Sequence, residues 1–250
     1  MIELTCCPST LQKGFSTYSP VALKELFNSQ KVNHILPYNG MDNNETEQKE
    51  FQNNNKHMSI SGAQQKYSLV VDNGQMRLSL EQEQATLLLK TKLSEYANKE
   101  ISPANEHLTM QIASQVYNIP TAANGLCFFQ NDEPAYITRR FDIATNGRKF
   151  RKEDFASLAG ISKWNKGPNY KYDVLSYEEM ADIIKQYVSA SSVEVLKFFR
   201  LVIFNFLFSN GDAHAKNFSL LETPSGDFIL APAYDLLNTR LHIFDDHVFA

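Results

Sequence analysis

One short polar segment, residues 210–217, combines residue types that act together in proton transfer and metal binding. It reads N-G-D-A-H-A-K-N, so that Asp212 and Asn217 stand five positions apart. The carboxylate can orient an attacking hydroxyl and accept its proton, and the neutral amide oxygen can hold Mg²⁺ without repelling phosphates. D-x-x-x-x-N is also the spacing of a kinase catalytic loop. We therefore predict Asp212 as a catalytic base and Asn217 as a Mg²⁺ ligand.

A further carboxylate follows this loop along the chain. Asp235 comes after two short apolar segments that flank the turn sequence P-S-G-D at residues 224–227. In kinases the second metal ligand is an aspartate that follows the catalytic loop. Taken singly, Asp212 and Asn217 could cap a turn and Asp235 could be an ordinary loop acid. Their order and spacing favour a metal-dependent phosphotransfer site.

Two charged residues earlier in the chain complete the predicted site. Lys90 ends the apolar segment 87–89, where a kinase lysine meets the α- and β-phosphates of ATP. Glu106 lies near the start of a predicted helix that opens at Ser102, and it is the candidate ion-pair partner of Lys90. Taken alone, Lys90 could be a surface lysine, and a glutamate in a first helical turn is favoured by the helix dipole in any case.

The expected glycine-rich phosphate loop, G-x-G-x-x-G, is absent. Residues 59–66 read S-I-S-G-A-Q-Q-K in its place. Backbone amides and the hydroxyls of Ser59 and Ser61, beside Gly62, can cover phosphates, and a serine there can itself be phosphorylated. Arg140 and Phe141 follow a predicted strand at residues 136–138, where we expect two lobes to meet around the adenine ring, although Phe141 fits a plain core position equally well.

Composition limits the class of protein. The chain has 250 residues, 43% hydrophobic and 21% charged, as in ordinary globular proteins, and a net charge of −4 argues against direct binding of nucleic acid. Cys6, Cys7 and Cys127 lack metal-ligand spacing and are expected as reduced thiols. There is no basic-then-apolar leader, and the longest apolar-rich run, 198–208, is too short to span a bilayer. We expect a cytoplasmic protein without a membrane partner.

The sequence pattern predicts three regions. Residues 1–57 are expected as an N-terminal extension, with a helix opening at Ser19-Pro20 and a mobile polar loop or linker at 41–57. Residues 58–140 are expected as a small β-rich ATP-binding N-lobe, with a hairpin turn at the D-N-G of residues 72–74. Residues 141–250 are expected as a helical catalytic C-lobe. The predicted fold class is α+β, a protein-kinase-like two-lobed fold.

Within the predicted C-lobe, three segments have distinct patterns. The basic stretch 142–173 is expected as loops and short helices. Ser176 and Glu179 form a capping box before a helix at 180–188. Residues 192–208 are apolar on most sides of a helix, so a buried helix is expected. His214 is expected as a structural member of the catalytic loop, hydrogen-bonded to backbone.

These segments, taken in order, resemble the HipA family of serine/threonine kinase toxins. The resemblance rests on S-I-S-G-A-Q-Q-K, L-L-L-K, N-E-H, R-R-F-D, N-G-D-A-H-A-K-N-F-S and A-Y-D-L, and it covers about residues 58–240. The stretch D-A-H-A-K-N-F-S followed by Y-D is its most specific part. Residues 1–39, with C-P-x-x-L-x-x-G-F-S-T-Y-S-P, resemble the start of short HipT-type chains, which lack the small N-terminal subdomain of full-length members.

The resemblance implies roles and partners. It implies ATP and Mg²⁺ as cofactors, with Asp212 as base, Asn217 and Asp235 as metal ligands, Lys90 on the ATP phosphates, and autophosphorylation at Ser59 or Ser61, which lowers activity in family members. It implies a protein substrate such as an aminoacyl-tRNA synthetase, a helix-turn-helix antitoxin, and a small protein that supplies the missing subdomain. Family chains continue past the residues matching 242–250 with C-terminal helices that this sequence does not include.

Two other functions stay open at the level of sequence. Small-molecule phosphotransferases of the aminoglycoside-kinase type also use G-D-x-H-x-x-N followed by a later aspartate, although the serine-bearing loop and the F-S after Asn217 favour the HipA resemblance. The second open function is that of an inactive pseudokinase that only binds an antitoxin. The presence of Lys90, Asp212, Asn217 and Asp235 argues against it.

Overall fold

The computed structural model describes residues 3–40, 45–55, 64–94, 96–167, 170–172 and 175–243. These residues divide into two compact units. The first, called here the sheet unit, takes in residues up to 111, 122–141 and 241–243. The second, the helical unit, takes in residues 112–121 and 142–240. No helix in the described ranges is long and apolar enough to cross a bilayer.

The sheet unit is built on five antiparallel strands in the order β2-β1-β3-β5-β4. The predicted D-N-G turn joins β1 to β2, and Asn73 and Gly74 both adopt the left-handed backbone that such a turn requires. The strands are β1 (Lys66–Asp72), β2 (Gln75–Leu78), β3 (Leu87–Lys90), β4 (Asn124–Phe128) and β5 (Pro134–Arg139), and α3 (Ser102–Gln115) follows β3.

The N-terminal residues are part of the sheet unit, whereas the sequence predicted an extension preceding it. The backbone N–H of Leu126 on β4 donates to Pro8 O at 2.7 Å, and the Tyr18 hydroxyl donates to Leu126 O at 2.8 Å. An edge strand exposes a row of unpaired backbone groups, and residues 3–40 satisfy those of β4. The predicted helix is α1 (Pro20–Phe27), capped by Ser19.

The prediction of a loop or linker for the polar segment 41–57 is wrong over most of its length, because residues 45–55 form the helix α2 (Glu45–Asn55). Phe51 on this helix is 1% exposed, and its ring centroid lies 4.8 Å from that of Tyr67. The Asn54 side chain also exchanges hydrogen bonds with the β1 backbone. The Glu, Gln and Lys residues of this segment favour a helix, but Phe51 is its one large apolar residue, so the packing of that side chain holds the helix against the sheet.

A buried histidine lies on α3 of the sheet unit. His107 is 2% exposed, and its Nδ1 lies 2.9 Å from Asn124 Oδ1. The Asn124 amide N–H donates to Ala122 O, so Oδ1 is the acceptor and His107 Nδ1 carries the proton. Its Nε2 has no hydrogen-bond partner in the described part of the chain. Burial therefore lowers the pKa of His107 to about 4.

The described residues of the helical unit contain a three-stranded antiparallel sheet in the order β6-β7-β8 and the four α-helices α4 to α7. Its strands are β6 (Lys152–Asp154), β7 (Ser219–Glu222) and β8 (Phe228–Leu230). Its helices are α4 (Phe155–Leu158), α5 (Lys163–Lys166), α6 (Tyr177–Tyr187) and α7 (Ser191–Leu207). The predicted hairpin at 224–227 and the capping box of Ser176 and Glu179 are both present. β6 was not predicted, because K-E-D has no strand pattern and its pairing with β7 is a long-range contact.

The helix predicted as buried, α7, is buried along one face only. Phe198, Leu201, Phe204 and Asn205 are buried. Large apolar side chains on other sides of the helix are exposed, so the prediction of a buried helix holds for one face only in the described chain. These exposed residues are Val193, Leu196, Phe199, Ile203, Phe206 and Leu207.

Candidate active site

The loop between α7 and β7 holds Asp212 and Asn217 against each other. The Asn217 side-chain amide donates to Asp212 O at 2.7 Å, and the Asn217 backbone N–H donates to His214 O at 2.8 Å. Because the amide nitrogen is used in this way, Asn217 Oδ1 is the atom kept for another ligand. The Asp212 side chain is 46% exposed, so its carboxylate is open to an incoming hydroxyl.

His214 lies beside the Asp212 carboxylate, with Nε2 3.8 Å from Asp212 Oδ1. Its Nδ1 is buried and has no hydrogen-bond partner among the described residues, which corrects the expected bond from the ring to backbone. Burial lowers the pKa of His214 below its ordinary value, and Asp212 opposes this shift in part. The charge of Lys171 lowers the pKa of His214 further, and the charge of Asp235 opposes the shift.

Asp235 is held in a backbone conformation that side chains rarely adopt, with φ at +57°. The side-chain amide of Asn210 donates to Asp235 O at 3.4 Å and to Asn205 Oδ1 at 3.0 Å. Both asparagines are buried, at 6% and 4% exposure. This pair braces the residue expected to hold metal, and sequence reasoning missed it. The available signal was a lone asparagine, Asn205, inside an apolar helix.

In the sheet unit, Lys90 and Glu106 form a buried ion pair. Lys90 Nζ lies 2.5 Å from Glu106 Oε1, and the two side chains are 4% and 2% exposed. The ammonium group also lies 5.3 Å from the centroid of the Tyr136 ring. Buried charges are strongly unfavourable without a partner, so each of these residues fixes the position of the other at the end of β3.

Two of the remaining predicted site residues, Arg140 and Phe141, lie in the described part of the chain. Arg140 and Phe141 follow β5 and are partly exposed, and Arg140 N donates to Thr86 O at 2.9 Å. Their predicted contact with adenine stays a prediction. Ser59, Ser61 and Gly62 lie outside the described residues, so the predicted phosphate loop and its phosphorylation also stay predictions.

The predicted metal ligands in the helical unit are an amide oxygen and a carboxylate, which are groups that Mg²⁺ takes as ligands. No cluster of three or more His, Cys, Asp or Glu that could hold a metal occurs in the described ranges. Mg²⁺ prefers oxygen ligands, keeps several waters and needs only one or two protein groups. The amide oxygen of Asn217 and the carboxylate of Asp235 supply such oxygens.

One further side chain contacts the predicted base. The Tyr172 hydroxyl donates to Asp212 Oδ1 at 2.8 Å, and the Tyr172 ring stands edge-on to that of His214 with centroids 5.1 Å apart. Tyr172 lies 40 positions before Asp212 in the sequence. No local spacing could have indicated this contact.

Residues 58–248 match the sequence model of the HipA-like C-terminal domain. The chain belongs to the HipA-like C-terminal domain family. The family match includes Lys90, Glu106, Asp212, Asn217 and Asp235, and it confirms the resemblance found in the sequence motifs.

Curated relatives of this HipA-like chain are named as kinases. A Haemophilus influenzae protein named "Putative kinase" is 27% identical over 237 residues, and the aligned region covers 92% of this chain and 66% of the Haemophilus protein. "Putative kinase Y4mE" of Sinorhizobium fredii is 28% identical over 196 residues, 73% of this chain and 42% of its own length. The chain thus spans between two fifths and two thirds of these two relatives.

Two solved structures share its fold. The HipA of a Shewanella oneidensis toxin–antitoxin complex of HipA, HipB and operator DNA matches with a TM-score of 0.58 at 22% identity, covering 73% of this chain and 44% of that one. The Helicobacter pylori proinflammatory kinase CtkA matches with a TM-score of 0.50 at 17% identity, and the match covers 72% of this chain and 56% of CtkA. The predicted α+β, protein-kinase-like fold is therefore confirmed.

Proposed function

We propose that this HipA-like chain transfers the γ-phosphoryl group of ATP to a serine or threonine hydroxyl of a protein. The observation that carries the proposal is the loop in which Asn217 is hydrogen-bonded to the Asp212 carbonyl while the Asp212 carboxylate stays accessible. This carboxylate already accepts one hydroxyl proton donor, Tyr172, at 2.8 Å. In the proposed reaction Asp212 orients the acceptor hydroxyl and takes its proton as the oxygen bonds to phosphorus.

Lys90 is proposed to bind the α- and β-phosphates of ATP. The ion pair with Glu106 holds the ammonium group at the end of β3. Arg140 and Phe141 are proposed to border the nucleotide, and the segment with Ser59, Ser61 and Gly62 is proposed to cover its phosphates.

Asn217 Oδ1 and the Asp235 carboxylate are proposed to hold Mg²⁺. When bound, the ion neutralises charge on the phosphates and aligns them for transfer. The side chains of this chain have to present their oxygens to it. The Asn217–Asp212 hydrogen bond uses the amide nitrogen and leaves the amide oxygen for the ion, and the Asn210 amide donates to the backbone carbonyl of Asp235.

The partners proposed for this chain follow from its family. HipA of the Shewanella system is named in a complex with HipB and operator DNA, and we propose a helix-turn-helix antitoxin as partner here. We further propose a translation-related substrate such as an aminoacyl-tRNA synthetase, a small protein that supplies the N-terminal subdomain, autophosphorylation at Ser59 or Ser61, and a cytoplasmic location. The net charge of −4 gives no reason to propose direct contact with nucleic acid.

The decisive experiment is phosphate transfer from labelled Mg-ATP to bacterial lysate proteins and to a generic basic protein. The wild type is compared with Asp212→Asn and with Asp227→Asn, a matched change at an exposed hairpin aspartate. Wild type and Asp227→Asn should label protein, and Asp212→Asn should be slower by about 10²–10⁴-fold while still binding ATP.

Two outcomes would contradict the proposal. Transfer to aminoglycosides or other small hydroxyl compounds, with none to protein, would support the small-molecule phosphotransferase. Nucleotide binding without any turnover would support the pseudokinase. Omission of Mg²⁺ should abolish transfer in the active variants.

A further inference from the structure

Tyr172 places a hydroxyl on the carboxylate that the proposed function assigns as catalytic base. Its Oη lies 2.8 Å from Asp212 Oδ1, within the distance at which a base can take a proton. Within the described ranges it is the hydroxyl that donates to this carboxylate. A kinase base binds the hydroxyl of its acceptor in the same way, so Tyr172 occupies the acceptor position.

Three contacts keep Tyr172 in this place. The carbonyl of Lys171 accepts a hydrogen bond from Ala215 N at 3.2 Å, so the backbone before Tyr172 is attached to the catalytic loop. The Lys171 ammonium group lies 4.7 Å from the centroid of the Tyr172 ring. The edge-on contact with His214 orients the ring. Because Tyr172 is 47% exposed, the hydroxyl is also accessible to a phosphoryl donor.

We propose that Tyr172 is an autophosphorylation site of this chain. The proposal rests on the proposed kinase function and adds an acceptor to it. A lone pair of the Tyr172 oxygen attacks the γ-phosphorus of ATP, and a new O–P bond forms. The bond from the γ-phosphorus to the β–γ bridging oxygen breaks, and its electron pair leaves with ADP. The phenolic proton passes to the Asp212 carboxylate, which later releases it to solvent.

Chemistry and charge both favour this step and its consequence. A phenol gives up its proton more readily than an aliphatic hydroxyl, so Tyr172 is a suitable substrate for a carboxylate base. The phosphorylated side chain carries a charge of about −1.5 to −2. It is repelled by Asp212, so phosphorylation moves Tyr172 away from the base and opens the acceptor position.

A second tyrosine supplies a matched control. Tyr177 is 42% exposed, and its hydroxyl lies 3.4 Å from Ala213 O in the same loop, so it faces a carbonyl and not the carboxylate. The full chain is treated with phosphatase, the phosphatase is removed, and Mg-ATP is added. Phosphorylated peptides are then mapped over time in the wild type, Tyr172→Phe, Tyr177→Phe and Asp212→Asn.

The expected result is phosphate on Tyr172 in the wild type and in Tyr177→Phe, with a rate per molecule that does not depend on protein concentration. In Asp212→Asn this label should appear at least about 100-fold more slowly. Absence of phosphate on Tyr172, or equal label in Asp212→Asn, overturns the proposal. If Tyr172 stays unmodified while serines or the generic basic protein are labelled, the kinase function stands and only the Tyr172 site is wrong. If nothing is labelled, both are wrong.

Discussion

Removal of one partner of the Lys90–Glu106 pair should destabilise the sheet unit far more than removal of both. At an effective dielectric constant of about 20, opposite unit charges at the 2.5 Å separation of these atoms attract by roughly 7 kcal/mol. Transfer of each charge from water costs several kcal/mol, so the intact pair contributes little net stability. Lys90→Met or Glu106→Leu alone leaves the other charge buried at 2–4% exposure, and each should cost about 3–5 kcal/mol.

The double variant Lys90→Met/Glu106→Leu replaces the pair by apolar side chains of similar length. Its stability should lie within about 2 kcal/mol of the wild type. Urea unfolding followed by far-ultraviolet circular dichroism measures the four free energies, and amide hydrogen exchange in β3 and α3 tests the local effect. Lys92→Met is the matched control, because Lys92 is 23% exposed and lies 3.4 Å from Glu133, so its loss should cost at most about 1 kcal/mol.

Two results would refute this reasoning. The first is that each single variant unfolds with a free energy within about 1 kcal/mol of the wild type. The second is that the double variant loses as much stability as the two single variants together, which would mean that the two residues are not coupled. The double variant also separates stability from function. It should fold and yet fail to transfer phosphate, because the proposed phosphate ligand Lys90 is gone.

Three more predictions follow from buried side chains. Burial holds the pKa of His107 near 4, below its ordinary value of about 6.5, so the unfolded chain binds more protons and the free energy of unfolding should fall by about 2 kcal/mol between pH 7 and pH 5. In His107→Gln the urea midpoint should depend less on pH across this range, and an unchanged pH dependence would exclude this cause. Phe51→Ala should cost about 3 kcal/mol of stability and expose residues 45–55 to limited proteolysis. Its control, Phe199→Ala at an exposed site on α7, should change stability by less than about 0.5 kcal/mol, and equal losses in the two variants would contradict the packing assigned to α2. Asn205→Leu should reduce phosphotransfer about 10–100-fold and raise the Mg²⁺ concentration for half-maximal activity, because the hydrogen bond that positions Asn210 against Asp235 is lost. Asn205→Asp keeps an acceptor for Asn210 and should restore part of the activity. A loss of stability with normal Mg²⁺ dependence would contradict this role of Asn205.

The sequence alone determined those features that depend on neighbours a few residues apart. The spacing of Asp212 and Asn217 indicated a single loop, and their hydrogen bond spans five positions. The D-N-G turn and the capping box of Ser176 and Glu179 are likewise local, and both are present. The family, and with it the kinase-like fold, was also recognisable from the order of such short motifs.

The tertiary structure alone decided the features that depend on distant contacts. Residues 45–55 become a helix because Phe51 packs on β1, and the charged segment of β6 becomes a strand because β7 lies beside it. α7 buries only part of its apolar surface, since the helix pattern shows which sides are apolar but not which of them another element covers. Tyr172 reaches Asp212 across 40 positions, a contact that leaves no period or spacing in the sequence, because only the folded chain brings the two residues together.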